Sequence, residues 1–239
     1  MTISKSKIRV GISSCLLGER VRWDGEDRRD VHARTLCRYF EWVLVCPEVE
    51  AGMGVPREPV SLIGPPGKVR MRGRETNQDW TAAMLRYARR RVRRLESENL
   101  CGYLFKYRSP SCGIARVPIH TAAGEPAWHG AGLFARTFCE HFPLIPVEDE
   151  DRLKHAAIRK NFMLRVFSYS RLRAFLKTRY SSQRLRDFHG KNAKLIASHS
   201  LRHAAALTKL ITHSKRLSPS VLKQRYGALF MEALSPKMS

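Results

Sequence analysis

Three of the six cysteines in this 239-residue chain share a setting that the other three lack. Cys15 stands in Ser13-Ser14-Cys15-Leu16-Leu17-Gly18, Cys46 in Cys46-Pro47-Glu48-Val49, and Cys112 in Ser109-Pro110-Ser111-Cys112-Gly113. Each closes a short strand-like run and lies beside Gly or Pro. Open α/β sheets bind ligands outside the carboxyl ends of their strands, so adjacent strands would bring the three thiols to one rim. Soft sulfur donors suit zinc or an iron–sulfur cluster. A closed structural zinc site takes four ligands, and no histidine stands at zinc-ligand spacing from these three. A four-iron cluster usually takes four cysteines; held by three, it leaves one iron open to a substrate, which is a catalytic arrangement. The competing reading is that free cysteines are small buried hydrophobes. It is the reading adopted for Cys37, Cys101 and Cys139, which fall inside a helix, at a strand start and inside a helix.

The elements that must position these residues alternate. Ile8–Ile12 reads as a strand and Val31–Phe40 as a helix. Trp42–Cys46 reads as a second strand, apolar enough to be buried on both faces. Val60–Ile63 is a shorter strand. From Asp79 to Glu98, Met84, Leu85, Ala88, Val92 and Leu95 recur at helical spacing with arginines on the other face. Leu100–Tyr107 reads as a third strand, Gly132–His141 as a helix and Leu144–Val147 as an extended piece. The expected fold is α/β, a mostly parallel, Rossmann-like sheet flanked by helices, over residues 1–150. After the acidic cluster Glu148–Asp151 the texture changes. Arg152–Lys177, as one helix or a broken pair, then Gln183–Ala197, His199–Thr212 and Pro219–Leu234 predict a smaller all-α domain over residues 151–239.

Charge separates the halves further. The chain carries 44 Lys+Arg against 21 Asp+Glu, a formal +23. Residues 1–150 hold 24 and 18, residues 151–239 hold 20 and 3, or net +6 and +17. That asymmetry points to a polyanionic partner of the C-terminal half, nucleic acid first and an anionic membrane surface second. Lys5, Lys7 and Arg9 precede an apolar run too short for a signal peptide. No stretch approaches the roughly 20 apolar residues that span a bilayer, so a cytoplasmic protein with reduced cysteines, no membrane partner and no obligate protein partner is expected.

The three cysteine segments, together with Val21-Arg22-Trp23-Asp24-Gly25 and Gly54-Val55-Pro56-Arg57-Glu58-Pro59, resemble the motif series of the thiouracil desulfidase family over about residues 7–147. The second half, with Asn161-Phe162, Val166-Phe167 and Phe188-His189-Gly190-Lys191-Asn192-Ala193-Lys194 through Ser200, resembles the helical domain fused to it in tRNA 4-thiouridine desulfidases. The resemblance implies a [4Fe-4S] cluster held by Cys15, Cys46 and Cys112, whose fourth iron binds a thiocarbonyl sulfur. It implies hydrolytic, non-redox conversion of C=S to C=O, with Glu48 and Ser109 as acid/base and proton-relay groups; Ser111, read from its place beside them, is a second choice and a candidate substrate contact. In those fusion proteins the helical domain continues past the point where this chain ends, so a shorter domain is expected here.

The expected partner is tRNA carrying 4-thiouridine, whose base must be flipped out of its stack to be reached. Free thiouracil or thiolated nucleotides are the enzymatic alternative, and a non-catalytic RNA-binding protein with structural cysteines is the third. Glu48 has plainer roles available, as a helix cap or an arginine partner, and Ser109 as a turn residue. Arg22, Asp24, Arg57 and Glu58 read as holders of the loops, with Arg22 also a substrate candidate. Arg89, Arg90 and Arg93, within the run Arg89–Arg94, and Lys191, Lys194 and Arg202 are the candidate RNA contacts. Gly64-Pro65-Pro66-Gly67-Lys68 lacks the phosphate-loop spacing and reads as a turn. His189, His199, His203 and His213 are scattered across the basic domain without a recognisable thiol or carboxylate partner and read as solvated or core histidines, with contacts to RNA as the alternative.

Overall fold

The computed structural model of the chain describes residues 7–121, 125–214 and 217–236. The chain divides into two compact units, Met1–Ala156 and Ala157–Ser239. In order, the first runs β1 (Ile8–Ser13), a 3-10 turn (Ser14–Leu17), α1 (Val31–Thr35), a 3-10 turn (Leu36–Arg38), β2 (Phe40–Val45), α2 (Pro47–Glu50), β3 (Val60–Ile63), β4 (Arg70–Gly73), α3 (Thr81–Ser97), β5 (Tyr103–Phe105), β6 (Val117–His120), β7 (Pro126–Gly130), α4 (Leu133–His141), β8 (Val147–Asp149) and α5 (Glu150–Leu153). Then α6 (Ala156–Lys177) leads into α7 (Ser182–His199), α8 (Leu201–Thr212) and α9 (Pro219–Ala233).

The first sheet has the order β2-β1-β5-β8 and every pairing in it is parallel. Its apolar residues, with Val10, Ile12, Tyr103, Leu104 and Phe105 fully buried, meet α3 and α4 across an aromatic cluster. There Tyr103 stacks on Phe105 at 3.9 Å between centroids and Phe138 packs edge-on against both. The fold class is α/β followed by an all-α region, as the sequence implies.

Three details differ from the sequence reading. The apolar run of β2 is an edge strand, with Leu44 41% exposed; Phe40, Val43 and Val45 face the core while Glu41 and Leu44 face the surface. The helix expected over Val31–Phe40 stops at Thr35, and Phe40 already belongs to β2. The cluster Glu148–Asp151, read as the start of a boundary, is built into β8 and α5. Glu148, Asp149 and Glu150 are buried, and Asp149 caps α5 by accepting from Arg152 N at 2.9 Å. A second sheet, order β4-β3-β6-β7, was unforeseen beyond β3. It joins two antiparallel hairpins, β3–β4 and β6–β7, through the parallel pair β3–β6.

In the second unit, serines set the helix starts. Ser181, Ser200 and Ser218 accept from the backbone N–H three residues on, and Pro219 follows Ser218 at the first helical position. Phe162, Val166, Leu185, Ile196, Leu207, Leu222, Tyr226 and Phe230 form its core, with Phe175 stacked on Phe188 at 4.6 Å. Among the described residues, no helix is long and apolar enough to cross a membrane.

Candidate active site

The carboxyl ends of β1, β2 and β5 open onto one cavity of about 530 Å³ in the first unit, and Cys15, Cys46 and Cys112 all line it. Cys15 lies in the 3-10 turn that directly continues β1, a turn ended by Gly18 at φ 105°. Cys46 follows β2 and precedes α2, whose first residue is Pro47. Cys112 lies in the turn Ser109–Gly113 after β5. The far wall comes from the second sheet, through Val60, Ser61, Leu62, Val117, Pro118 and His120.

The turn holding Cys112 rests on the start of α4. Phe134 N and Ala135 N donate to Ser111 O at 3.1 and 3.0 Å, and Leu133 N donates to Pro110 O at 3.1 Å. Gly132 permits this approach: a Cβ there would lie 2.5 Å from the Ser111 carbonyl group.

The thiols sit in a dry setting. Burial first, and the neighbouring Cys46 second, push the Cys15 thiol up to about 12. Burial also raises Cys46, and raises Cys112 well above the usual thiol range, against the hydrogen bond from Ser13. The charge of Cys46 acts on both others, and that of Cys15 on Cys112, so the three stand close enough to feel one another. Desolvated thiols become thiolates only when a cation repays the lost hydration.

Among the described residues, no group of three or more His, Cys, Asp or Glu side chains is placed to hold a metal ion. A single zinc would draw its sulfurs to about 2.3 Å. Three sulfur donors lining one cavity have the chemistry that suits zinc or an iron–sulfur centre. Cys37, Cys101 and Cys139 do not line the cavity.

Glu48 and Ser109 line the cavity with the cysteines, and so does Arg22. Arg57 grips Glu48 Oε2 through Nε at 3.0 Å and Nη2 at 2.6 Å, and donates to Gly54 O at 2.7 Å and Val21 O at 3.0 Å. On the other oxygen, Ser111 Oγ donates to Glu48 Oε1. Ser111 is fully buried. Ser109 Oγ instead accepts from Ser111 N at 3.2 Å and Cys112 N at 3.1 Å, so it organises the turn and still has its own proton to give. Arg22 pairs with Asp24 at 2.9 Å. Glu58 accepts from Glu75 N at 2.8 Å and Thr76 N at 3.0 Å, which places it on the turn after β4.

Sequence reasoning missed the pair Lys106–Glu150 beside Cys15. Lys106 lines the cavity and pairs with Glu150, whose other oxygen accepts Tyr107 N at 2.6 Å. Its signal lay in the acidic cluster, where only one carboxylate of four faces this lysine. Lys191 and Lys194 lie exposed on α7 and Arg202 exposed on α8, while Arg89, Arg90 and Arg93 lie exposed on α3; none lines the cavity. His189 meets Tyr226 OH at 3.3 Å and His203 pairs with Glu232 at 3.3 Å.

A parallel sheet whose strand ends present three cysteines and a clamped glutamate to one cavity makes this the candidate site of an α/β unit. A family model described as 2-thiouracil desulfurase matches residues 10–150, more than half of the chain, and the chain belongs to that family. The uncharacterized protein YbbK of Bacillus subtilis (strain 168) is 29% identical over 119 residues, 48% of this chain and 79% of the relative. A solved structure, the [4Fe-4S]-dependent thiouracil desulfidase TudS, is similar with a TM-score of 0.51 and 28% sequence identity, over 64% of this chain and 97% of that one.

Proposed function

We propose that this protein removes sulfur from 4-thiouridine in tRNA, giving uridine and sulfide, with a [4Fe-4S] cluster held by Cys15, Cys46 and Cys112. The observation that carries this reading is the meeting of those three thiols with Glu48 in one cavity of a desulfurase-family unit. One water adds its oxygen at C4, the C–S bond breaks, and the sulfur leaves as hydrogen sulfide with both protons of that water. No electron is transferred. When bound, the cluster supplies a Lewis-acidic iron, free of a protein ligand, for the thiocarbonyl sulfur.

The chain's own residues do the rest. Glu48 takes a proton from the attacking water, and Arg57 and Ser111 fix its two oxygens so that the carboxylate stays aimed. Ser109 passes a proton toward the leaving sulfur. Val45, Pro47, Leu62 and Val117 give the cavity an apolar lining that limits access of other waters. Arg22 stands at the same cavity to meet substrate. From Ala157 onward the only acidic residues are Asp187 and Glu232. Asp187 accepts from Gln183 and Glu232 pairs with His203, so Lys191, Lys194 and Arg202 are offered to RNA phosphates.

A second reading, free thiouracil or a thiolated nucleotide as substrate, is favoured by the name and extent of the similar solved structure, which matches 64% of this chain. Anaerobically reconstituted protein is incubated with thiolated tRNA and with 4-thiouracil, and loss of each thiolated base is followed by chromatography. Consumed 4-thiouracil beside untouched tRNA selects the second reading. Protein without iron or acid-labile sulfide that resists reconstitution defeats both, and leaves an RNA-binding protein with structural cysteines.

A further inference from the structure

We infer that the arginine face of α3, on the desulfurase unit itself, docks the phosphate backbone of RNA; the inference rests on the tRNA reading above. One side of α3 buries Met84, Tyr87, Ala88, Val92 and Leu95. The other turns Arg86, Arg89, Arg90, Arg93 and Arg94 to solvent, all exposed. Steps of three and four residues put all five within an arc of about 140° and along about 12 Å of helix. They line one shallow depression together. Arg89 and Arg93 line a second with Arg136 of α4, where Glu140 is the one carboxylate.

A face that only needs solvation mixes the two signs, with carboxylates three or four residues from the cations. This face does the opposite. The one carboxylate of α3, Glu96, is turned to His141 at 2.6 Å, and Glu98, just past the helix end, to Arg9 at 2.5 Å. Arg91, which points away from the face, pairs with Glu50 at 3.4 Å. None of the five has an ion pair among the described residues, and like charges at these spacings oppose the helix. The repulsion is relieved when an outside polyanion binds, and guanidinium forks match phosphate oxygens two at a time.

RNA fits this face better than an anionic membrane does. A helix that lies on a bilayer inserts its apolar side, and that side of α3 is spent in the core of the unit, with Met84, Ala88 and Leu95 at most 1% exposed. The same helix also braces the site: Arg91 holds Glu50, whose other oxygen accepts Cys46 N at 3.0 Å.

The test compares the holoenzyme with R89Q/R90Q/R93Q and with R89K/R90K/R93K in tRNA binding by fluorescence anisotropy across a salt series. We expect the Gln variant to bind at least about tenfold more weakly at 150 mM salt, with the slope of log K against log salt reduced by roughly 2 to 3. The Lys variant should recover most of the slope. Thermal melting of both variants should match or exceed wild type, since repulsion has been removed or kept and no ion pair lost. Unchanged affinity and slope in the Gln variant would overturn the inference and leave the tRNA reading intact. Wild-type protein that binds no tRNA overturns both. Preferential binding of vesicles containing anionic lipid, lost in the Gln variant, would assign the face to a membrane and overturn it as well.

Discussion

Removing Arg57 tests whether the site is held together by the clamp on Glu48. Its side chain is 7% exposed and that of Glu48 15%, so the pair is close to dry. Arg57→Ala deletes two bonds to the carboxylate and the bonds to Gly54 O and Val21 O, and strands the Glu48 charge. Breaking a buried pair from one side costs about 3 to 5 kcal/mol. The partial exposure of Glu48 places the expected loss at the lower end, about 3 kcal/mol. For a unit of this size that lowers the melting temperature by about 6–12 °C. All four tryptophans, Trp23, Trp42, Trp80 and Trp128, belong to the first unit, so tryptophan fluorescence follows its melting without the helical unit. The double variant E48A/R57A should melt closer to wild type than the summed single losses, with a coupling of about 2 kcal/mol. A melting temperature for Arg57→Ala within about 2 °C of wild type, or additive single losses, would show that the pair behaves as a screened surface contact and that the clamp does not organise the site.

Three further outcomes follow from the same geometry. Ser111→Ala should lower turnover about tenfold or more with iron content unchanged, because the hydrogen bond its hydroxyl makes goes to Glu48; Ser109→Ala should lower both, because it frees the Ser111 and Cys112 N–H groups, and iron analysis beside kinetics separates the two. Gly132→Ala forces a Cβ against the Ser111 backbone and should destabilise the first unit by about 1–3 kcal/mol, read by the same fluorescence melt. Asp79, held at about 2 mainly by the Thr81 hydrogen bonds and by Arg70, stabilises the fold when ionised. That contribution is full above about pH 4 and is lost as pH falls through about 2, so Asp79→Asn should melt lower than wild type at pH 6 and the gap should shrink steadily as pH falls to about 2 and below.

The cysteine-bearing strand ends were legible because each is a short apolar run punctuated by Gly or Pro, a local pattern. So was α3, whose buried and exposed residues separate cleanly by spacing. The second sheet was not. β4 (Arg70–Gly73) is half charged and has only Met71 and Gly73 facing inward, and β6 contains Pro118, so neither reads as a strand until β3 supplies the partner. β2 was misplaced in depth for a related reason: an apolar run of five, Trp42–Cys46, cannot tell a central strand from an edge one whose outer face stays uncovered. Glu150 was hidden by its neighbours, since one buried carboxylate serving Lys106 looks the same in sequence as a solvated acidic linker. Ser109 and Ser111 are two residues apart, and only the path of the turn decides that Ser111 reaches Glu48.

The three cysteines are far apart in sequence, yet the backbone of each is held by hydrogen bonds that do not involve its sulfur. Cys15 O accepts from Gly18 N at 3.2 Å and Arg28 N at 2.9 Å; Cys46 N donates to Glu50 and Cys46 O accepts from Glu50 N; Cys112 N donates to Ser109 Oγ. Sheet pairing of β1 with β2 and β5 then sets the three loops side by side. A scaffold fixed in this way is expected to form before any cluster arrives, unlike a small metal domain that folds only around its ion. Replacing one thiol by a methyl group therefore removes a ligand without removing the loop that carried it. Cys15→Ala, Cys46→Ala or Cys112→Ala proteins that keep the wild-type fluorescence melt in the iron-free state and fail to take up iron would locate the ligands by chemistry alone. Unfolding of the iron-free variants would instead mean that the sulfur atoms, and not the backbone bonds around them, hold the rim together.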